Sequence, residues 1–268
     1  MRDLVVASYN VHKCVGHDRR FDPARTLEVI AEIAPDIIAL QEADRRFGDR
    51  AGLLDLDALH AMTGLVPVPL AANSTRRSHG WHGNVVLVRE AEIEEVQPIR
   101  LPGLEPRGAV MIDLAPRSGG RLRVVATHLG LLRASRLAQA EALVAALDNA
   151  RFGRDARPSI LMGDLNEWRL RRRSSLGPLA ARKPASVRPV ASFPARRPIL
   201  ALDRIMGCPA TELHEFRSHD TPLARVASDH LPVRALLRLD PTAGAAPADA
   251  RMNDDAAPLP LRRAGGAR

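Results

Sequence analysis

Ile160-Leu161-Met162-Gly163-Asp164-Leu165-Asn166 is a short apolar run that stops at a carboxylate, with an amide two residues further on. It is short for a helix and too apolar for a surface turn, so it reads as a strand buried between other layers. The same ending recurs along the chain. Leu4-Val5-Val6-Ala7-Ser8-Tyr9 runs into Asn10, Ile37-Ile38-Ala39-Leu40-Gln41 into Glu42, and Val124-Val125-Ala126-Thr127 into His128. Strands that each exchange apolar for chemically active residues at one end bring those residues to a common edge, where α/β folds place their sites.

Working outward, Val85 to Val88, Val110 to Leu114, Leu200 to Met206 and Val233 to Leu239 have the same strand-like composition. Ala24 to Ile33 and Arg136 to Leu147 read as helices, the second with Leu137, Leu143, Val144 and Leu147 on roughly one face. Strands followed by helices, then several strands in succession, indicate a mixed α/β architecture. From about Asp240 the chain turns rich in Ala, Pro, Gly and Asp without periodicity. The expected organisation is one catalytic domain over residues 1–240 and a disordered tail over 241–268.

The chain has 268 residues, 46% hydrophobic and 26% charged, the composition of an ordinary globular protein able to bury a sizeable core. Aromatics are scarce at 3%, so that core relies on Leu, Val, Ile and Ala. Cys14 and Cys208 form neither a disulfide framework nor a four-ligand metal cluster, which fits a reducing compartment. With no targeting segment at the start and no apolar run of ~18–20 residues, a cytoplasmic protein without a transmembrane segment is expected. The net charge of +8 suits an anionic partner, nucleic acid or acidic lipid headgroups, and equally suits a composition generally rich in Arg.

Asn10, Glu42 and Asp229 offer an amide oxygen and two carboxylates, hard donors that suit Mg²⁺ or Mn²⁺. Zinc is less suited, since neither HExxH nor CxxC occurs. Alone, Asn10 reads as a turn or cap residue and Glu42 as a surface charge; the shared position at strand ends is what singles them out. Asp203 stands inside the apolar Leu200-Ala201-Leu202-Asp203-Arg204-Ile205 and needs a partner, for which His230, beside Asp229, is the natural choice. Such a pairing fixes the imidazole tautomer, raises its basicity and makes His230 a general base toward water. A GxSxG elbow, a GxxxxGK[ST] phosphate loop and a GxGxxG fingerprint are all absent, which disfavours acyl transfer, P-loop and dinucleotide chemistry.

Seven pieces in order resemble the endonuclease/exonuclease/phosphatase superfamily, which includes abasic-site endonucleases, neutral sphingomyelinases, deadenylases and inositol polyphosphate phosphatases. They are Ser8-Tyr9-Asn10-Val11-His12, Leu40-Gln41-Glu42, His82-Gly83-Asn84-Val85-Val86-Leu87, Thr127-His128-Leu129, Gly163-Asp164-Leu165-Asn166, Leu202-Asp203-Arg204-Ile205 and Ser228-Asp229-His230-Leu231-Pro232. The resemblance implies a four-layer α/β/β/α sandwich, two mixed sheets face to face with helices outside. It implies a divalent ion near Asn10, Glu42 and Asp229. Asp203 then orients His230, Asp164 and Asn166 position the nucleophile and phosphate, and His128 stabilises developing negative charge. Ser192-Phe193-Pro194-Ala195 and His79 to Leu87 are similar to a bacterial sphingomyelinase-like branch. Asn84, Arg107 and Arg136 complete the candidate set on the substrate side, Asn84 by analogy as a scaffold residue hydrogen-bonding near the site.

The expected reaction is hydrolysis of a phosphodiester, with two substrate classes open. Arg169, Arg171, Arg172 and Arg173 follow the Asp164 motif and would track a nucleic-acid backbone, although few aromatics are available to stack bases. A phospholipid headgroup or a small-molecule diester is the alternative; the lipid would ordinarily call for an exposed apolar loop, which the sequence does not single out. A non-catalytic scaffold is disfavoured because no catalytic position is substituted.

Overall fold

The computed structural model describes residues 3–45, 47–70, 77–148, 157–169, 173–182, 188–207 and 211–240. The segment 241–268, expected to be a tail, lies outside the described residues, as do Arg171, Arg172 and Cys208. In chain order the elements are β1 (Leu4–Asn10), α1 (Pro23–Ile33), β2 (Ile37–Gln41), α2 (Leu56–Thr63), β3 (Val66–Pro67), β4 (Val85–Val88), β5 (Ala91–Arg100) and β6 (Gly108–Pro116). There follow β7 (Leu122–His128), α3 (Arg133–Asp148), β8 (Ser159–Asp164), α4 (Gly177–Ala181), β9 (Asp203–Gly207), β10 (Glu212–Ser218), α5 (Ala224–Ala227) and β11 (Val233–Arg238).

The strands form two mixed sheets. One has the order β10-β11-β1-β2-β4-β3 and the other β5-β6-β7-β8-β9. Each contains one parallel pair, β1 with β2 and β7 with β8, and is otherwise antiparallel. The parallel pairs need crossovers, and α1 and α3 are those crossovers. Asp22 caps α1 by accepting from Arg25 N at 3.1 Å, and Pro23 sits at its first turn.

Three apolar layers follow from strand alternation. Val6, Ala39, Val86, Val124, Ala126, Met162 and Ile205 pack between the two sheets. Ala7, Tyr9, Ile38 and Leu40 point the other way and meet Leu27, Ile30 and Ile33 of α1. Met111, Val125 and Leu161 cover the far face of the second sheet beneath Ala140 and Leu143 of α3. This is the expected four-layer α/β/β/α sandwich.

The period of two also aims the site. Val6 is an inner-face residue of β1, so Asn10, four residues on, stays on that face. Val124 and Ala126 set the same parity for His128, and Ile160 and Met162 for Asp164. Polar side chains from both sheets therefore meet in the gap between them, at the edge where the hydrophobic filling stops.

Several elements escaped the sequence reading. β5 and β10 are the outer strands of their sheets, and their Glu, Gln and His residues break the apolar signal that marks central strands. Pro98 fits β5 because an edge strand has one unpaired side. The run from Leu200 becomes regular strand only at Asp203, because Leu200 is held in an isolated bridge with Phe193.

Candidate functional site

The β8 and β9 pairing sets Asp164 opposite Asp203, and the β7 and β8 pairing sets His128 opposite Asp164. Three potentially charged groups on neighbouring strands are thus within reach of one another. His230 arrives from the segment leading into β11, which runs antiparallel to β1 with Val233 opposite Ser8. Ser228 secures that segment by donating from Oγ to Asn10 O at 2.7 Å, and Leu231 N donates to Ser192 O at 2.8 Å.

The buried centre is a connected chain of polar groups. Ser192 Oγ donates to Asp203 Oδ2 at 2.5 Å, and Asp203 Oδ2 accepts from His230 Nδ1 at 2.8 Å. His230 Nε2 faces Asp164 Oδ2 at 3.8 Å, and His128 Nε2 lies 3.4 Å from the same oxygen. Asn10 Nδ2 donates to Asp164 Oδ2 at 3.0 Å, and Asn166 N donates to Asp164 Oδ1 at 2.9 Å. Asn166 Nδ2 donates onward to Leu129 O at 2.9 Å, tying the loops after β7 and β8 together. The Phe193 ring packs on His230 with centroids 4.8 Å apart.

Gly163 makes the Asp164 position possible. Its φ of 154° suits glycine, and a Cβ there would run into the carbonyl oxygen of Thr127. Beyond the strands, Glu42 (φ 55°), Lys13 (φ 57°), His82 (φ 51°) and Asn166 (φ 51°) all occupy the left-handed region, which non-glycine residues rarely adopt. Such strain gathers where side-chain placement is over-determined by the surrounding structure.

Electrostatics separates the groups by role. Burial opposes charge on His230, but Asp203 and Asp164 outweigh it and raise the imidazole to about 10. Burial raises Asp164 to about 6, with Asp203 adding to the shift and His230, Asn166 N and Asn10 opposing it. His128 is pushed the other way: burial, then Arg107, holds it well below the usual imidazole range. Arg107 Nη1 lies 2.8 and 2.9 Å from the two ring nitrogens of His128, and the same guanidinium is anchored on Glu105 at 2.6 Å. Burial would raise Glu42, yet His128, Lys13 and His12 outweigh it and hold its carboxyl at about 2. A neutral His128 adds no charge, so the Lys13 ammonium, ion-paired with Glu42, is the main source of that effect.

The donor set around Glu42 is suited to a hard divalent cation. Glu42 is ionised and already carries a cation in the form of Lys13, while Asn10 contributes a side-chain oxygen that accepts from His12 N at 3.0 Å. Asp229 is partly exposed, its Oδ1 3.7 Å from His12 Nδ1. A second acidic cluster, Asp164, Asp203 and His230, has ligand atoms within 4.8 Å of one another. It is the weaker cage, because His230 Nδ1 and one oxygen of Asp203 are already engaged with each other. Both clusters present hard oxygen donors of the kind that bind divalent cations.

Arg136, expected on the substrate side, has other surroundings, and Asn84 holds a scaffold position. Arg136 is buried, donating to Gly130 O and Ser175 Oγ at 3.1 Å and facing Glu167 at 3.8 Å. Its guanidinium organises the loops after β7 and β8 rather than opening to a ligand. Asn84 is fully buried and donates to Trp81 O at 3.0 Å and Gly108 O at 3.1 Å, a scaffold arrangement. Arg107 does reach the site, through His128. Lys13, Ser192, Ser228 and Phe193 were not singled out for these contacts; Ser192 and Phe193 lie in the Ser192-Phe193-Pro194-Ala195 similarity and Ser228 in the Ser228–Pro232 piece, while nothing marked Lys13.

A model of the Endonuclease/Exonuclease/phosphatase family matches residues 7–230, a span that includes every residue of this centre. The chain belongs to that family. Its architecture is accordingly a phosphoesterase fold, in a family that uses a divalent metal to hydrolyse phosphoester bonds. The uncharacterized protein YbhP of Escherichia coli K12 is 29% identical over 260 residues, covering 87% of this chain and 96% of its own. Among solved structures, an endonuclease/exonuclease/phosphatase from Beutenbergia cavernae superposes with a TM-score of 0.65 at 26% identity, covering 89% of this chain and 72% of that one. The mannosyl-6-phosphatase Bt3783 of Bacteroides thetaiotaomicron has a TM-score of 0.67 at 17% identity, covering 88% and 100%. The catalytic domain of human Nocturnin, with bound sulfate, has 0.64 at 20% identity, covering 89% and 95%. These last two speak for the fold alone.

Proposed function

We propose that this chain is a divalent-metal-dependent phosphodiesterase. The observation that carries the reading is the unbroken polar chain Ser192–Asp203–His230 facing Asp164 and Asn10, set beside an ionised Glu42. A cation held by Glu42, Asp229 and the Asn10 side-chain oxygen would supply Lewis acidity toward a phosphoryl oxygen and the leaving oxygen.

The chain's own residues do the rest. Water attacks phosphorus, its oxygen forms the new P–O bond, and its proton passes to the Asp164 carboxylate, which the charged His230 faces. The ester P–O bond breaks with its electron pair on the leaving oxygen, which takes up a proton. Asp203 holds the His230 ring in place and balances its charge, as Ser192 does for Asp203. Neutral His128 donates a hydrogen bond toward the negative charge that develops on phosphate, and Arg107 orients it.

A diester is favoured over a monoester by charge. The cations at the centre are matched by carboxylates: Lys13 by Glu42, Arg107 by Glu105 and the His230 imidazolium by Asp203. That leaves little positive charge for a dianion. The testing experiment compares single-stranded DNA, abasic duplex, RNA, sphingomyelin and bis-p-nitrophenyl phosphate with Mg²⁺ and Mn²⁺, using Asp164→Asn protein as the blank. Turnover of one or more diesters, absent from the blank, supports the reading; folded protein that hydrolyses none overturns it.

A further inference from the structure

Register places five segments at the edge that carries the site. Residues 11–22 follow β1, 42–54 follow β2, 129–132 follow β7 and 165–169 follow β8. Residues 101–107 lead into β6, whose Ala109 pairs with Thr127 near the end of β7. Large apolar side chains protrude from all five: Phe21, Phe47, Leu104, Leu131, Leu132 and Trp168. Phe47 is 80% exposed and Leu104 87% exposed. The opposite edge contrasts with this. Of the exposed apolar residues there, Val66 pairs with Val88 at the far end of β4, and Met62 sits on the α2 turn that leads to it.

The protruding groups are joined to the site. Leu131 N donates to Glu105 Oε1 at 2.9 Å, which links the Leu104 and Leu131 segments to the carboxylate that anchors Arg107. The Arg169 guanidinium lies 4.9 Å from the Trp168 ring centroid. On the other side, Phe21, Phe47 and Leu53 line an open groove shared with Arg45 and with Lys13, the partner of Glu42. Exposed arginines stand among them, at Arg19, Arg20, Arg45 and Arg133, outnumbering the exposed acids Asp18 and Asp49 of the same segments. Aliphatic and aromatic side chains interspersed with guanidiniums around a phosphoesterase mouth match the boundary between acyl chains and anionic headgroups. Nucleic acid is a poorer fit, because exposed leucines offer a phosphate backbone nothing and stack poorly on bases.

We propose that this edge docks on a bilayer containing anionic phospholipid and that the phosphodiester presented to the site is that of a lipid headgroup. The docking rests on the surface alone, and the identity of the substrate rests on the function proposed above. The exposed positions explain why the sequence singled out no apolar loop: the six residues are scattered over five segments and gather only when the strands bring their ends together.

The test is sedimentation with vesicles of phosphatidylcholine alone and of phosphatidylcholine mixed with phosphatidylglycerol, without added metal, so that binding is read independently of turnover. Trp168 is a second readout, since the other tryptophan, Trp81, is buried. Binding to the anionic vesicles, a blue shift of Trp168 emission, and a loss of partitioning on the order of tenfold in a Leu131→Asp/Leu132→Asp variant are expected. Absence of vesicle binding at low salt overturns the proposal, and so does binding that the double variant leaves unchanged. If single-stranded oligonucleotide shifts Trp168 and vesicles do not, the edge is a nucleic-acid surface and the proposal falls. Hydrolysis of bis-p-nitrophenyl phosphate in the same preparation reports separately on the phosphodiesterase reading.

Discussion

His230 Nδ1 lies 2.8 Å from Asp203 Oδ2 while its Nε2 faces Asp164 Oδ2 at 3.8 Å, so one imidazole spans two buried carboxylates from adjacent strands. Asp203→Asn keeps the shape and removes the charge. Turnover is expected to fall by roughly 10²–10⁴-fold with the fold retained, as for loss of general acid–base positioning. Steady-state kinetics alongside circular dichroism reads both; activity within a few-fold of wild type would remove Asp203 from the mechanism.

The same pair makes a pH prediction for metal-free protein. Burial opposes the imidazolium, but Asp203 and Asp164 raise His230 to about 10 from its ordinary 6.5. The folded state therefore holds the proton more tightly than the unfolded state does. The stability this contributes is complete below the unfolded value and fades as pH climbs toward the folded one. In chelator-treated protein, NMR of the His230 ring should show no titration across neutrality, and Asp203→Asn should move its midpoint down. A wild-type midpoint at or below 6.5 would contradict the geometry.

Arg136 is predicted to matter for folding and not for chemistry. Replacing it with Met takes the donor from Gly130 O and Ser175 Oγ and one countercharge from buried Glu167, which keeps its bonds from Ser175 N and Arg169 N. A loss of about 1–3 kcal/mol is expected from the buried acceptors left unpaired. Denaturant unfolding measures that loss, and kcat/KM per folded molecule should stay close to wild type.

Gly163→Ala probes the backbone that delivers Asp164. The new methyl would run into the Thr127 carbonyl, and φ 154° is strained for any side chain. Opening the β7–β8 pairing should cost more than about 3 kcal/mol, read as a lowered melting temperature.

Much of this was legible in the sequence because central strands of a sandwich are uniformly apolar and end abruptly. Asn10, Glu42, His128 and Asp164 stood out as metal- or phosphate-binding residue types at the ends of such runs, and the structure brings them to one edge. The Asp203–His230 contact followed from an acid inside an apolar strand needing a partner. Arg136 misled because a buried arginine and a phosphate-binding arginine look alike in one dimension. Its partners, Gly130 O, Ser175 and Glu167, converge only through the loops after β7 and β8. Lys13 was missed for a similar reason: the link to Glu42 depends on a left-handed turn after β1 that no residue in the segment announces.

The most direct test of the account is hydrolysis of bis-p-nitrophenyl phosphate by the purified chain with Mg²⁺ or Mn²⁺, run beside Glu42→Gln and His230→Ala. Metal-dependent turnover is expected that chelator abolishes and that each substitution lowers by about 10³-fold while the protein stays folded. Folded wild-type protein without turnover, or near-normal turnover in either variant, would contradict it.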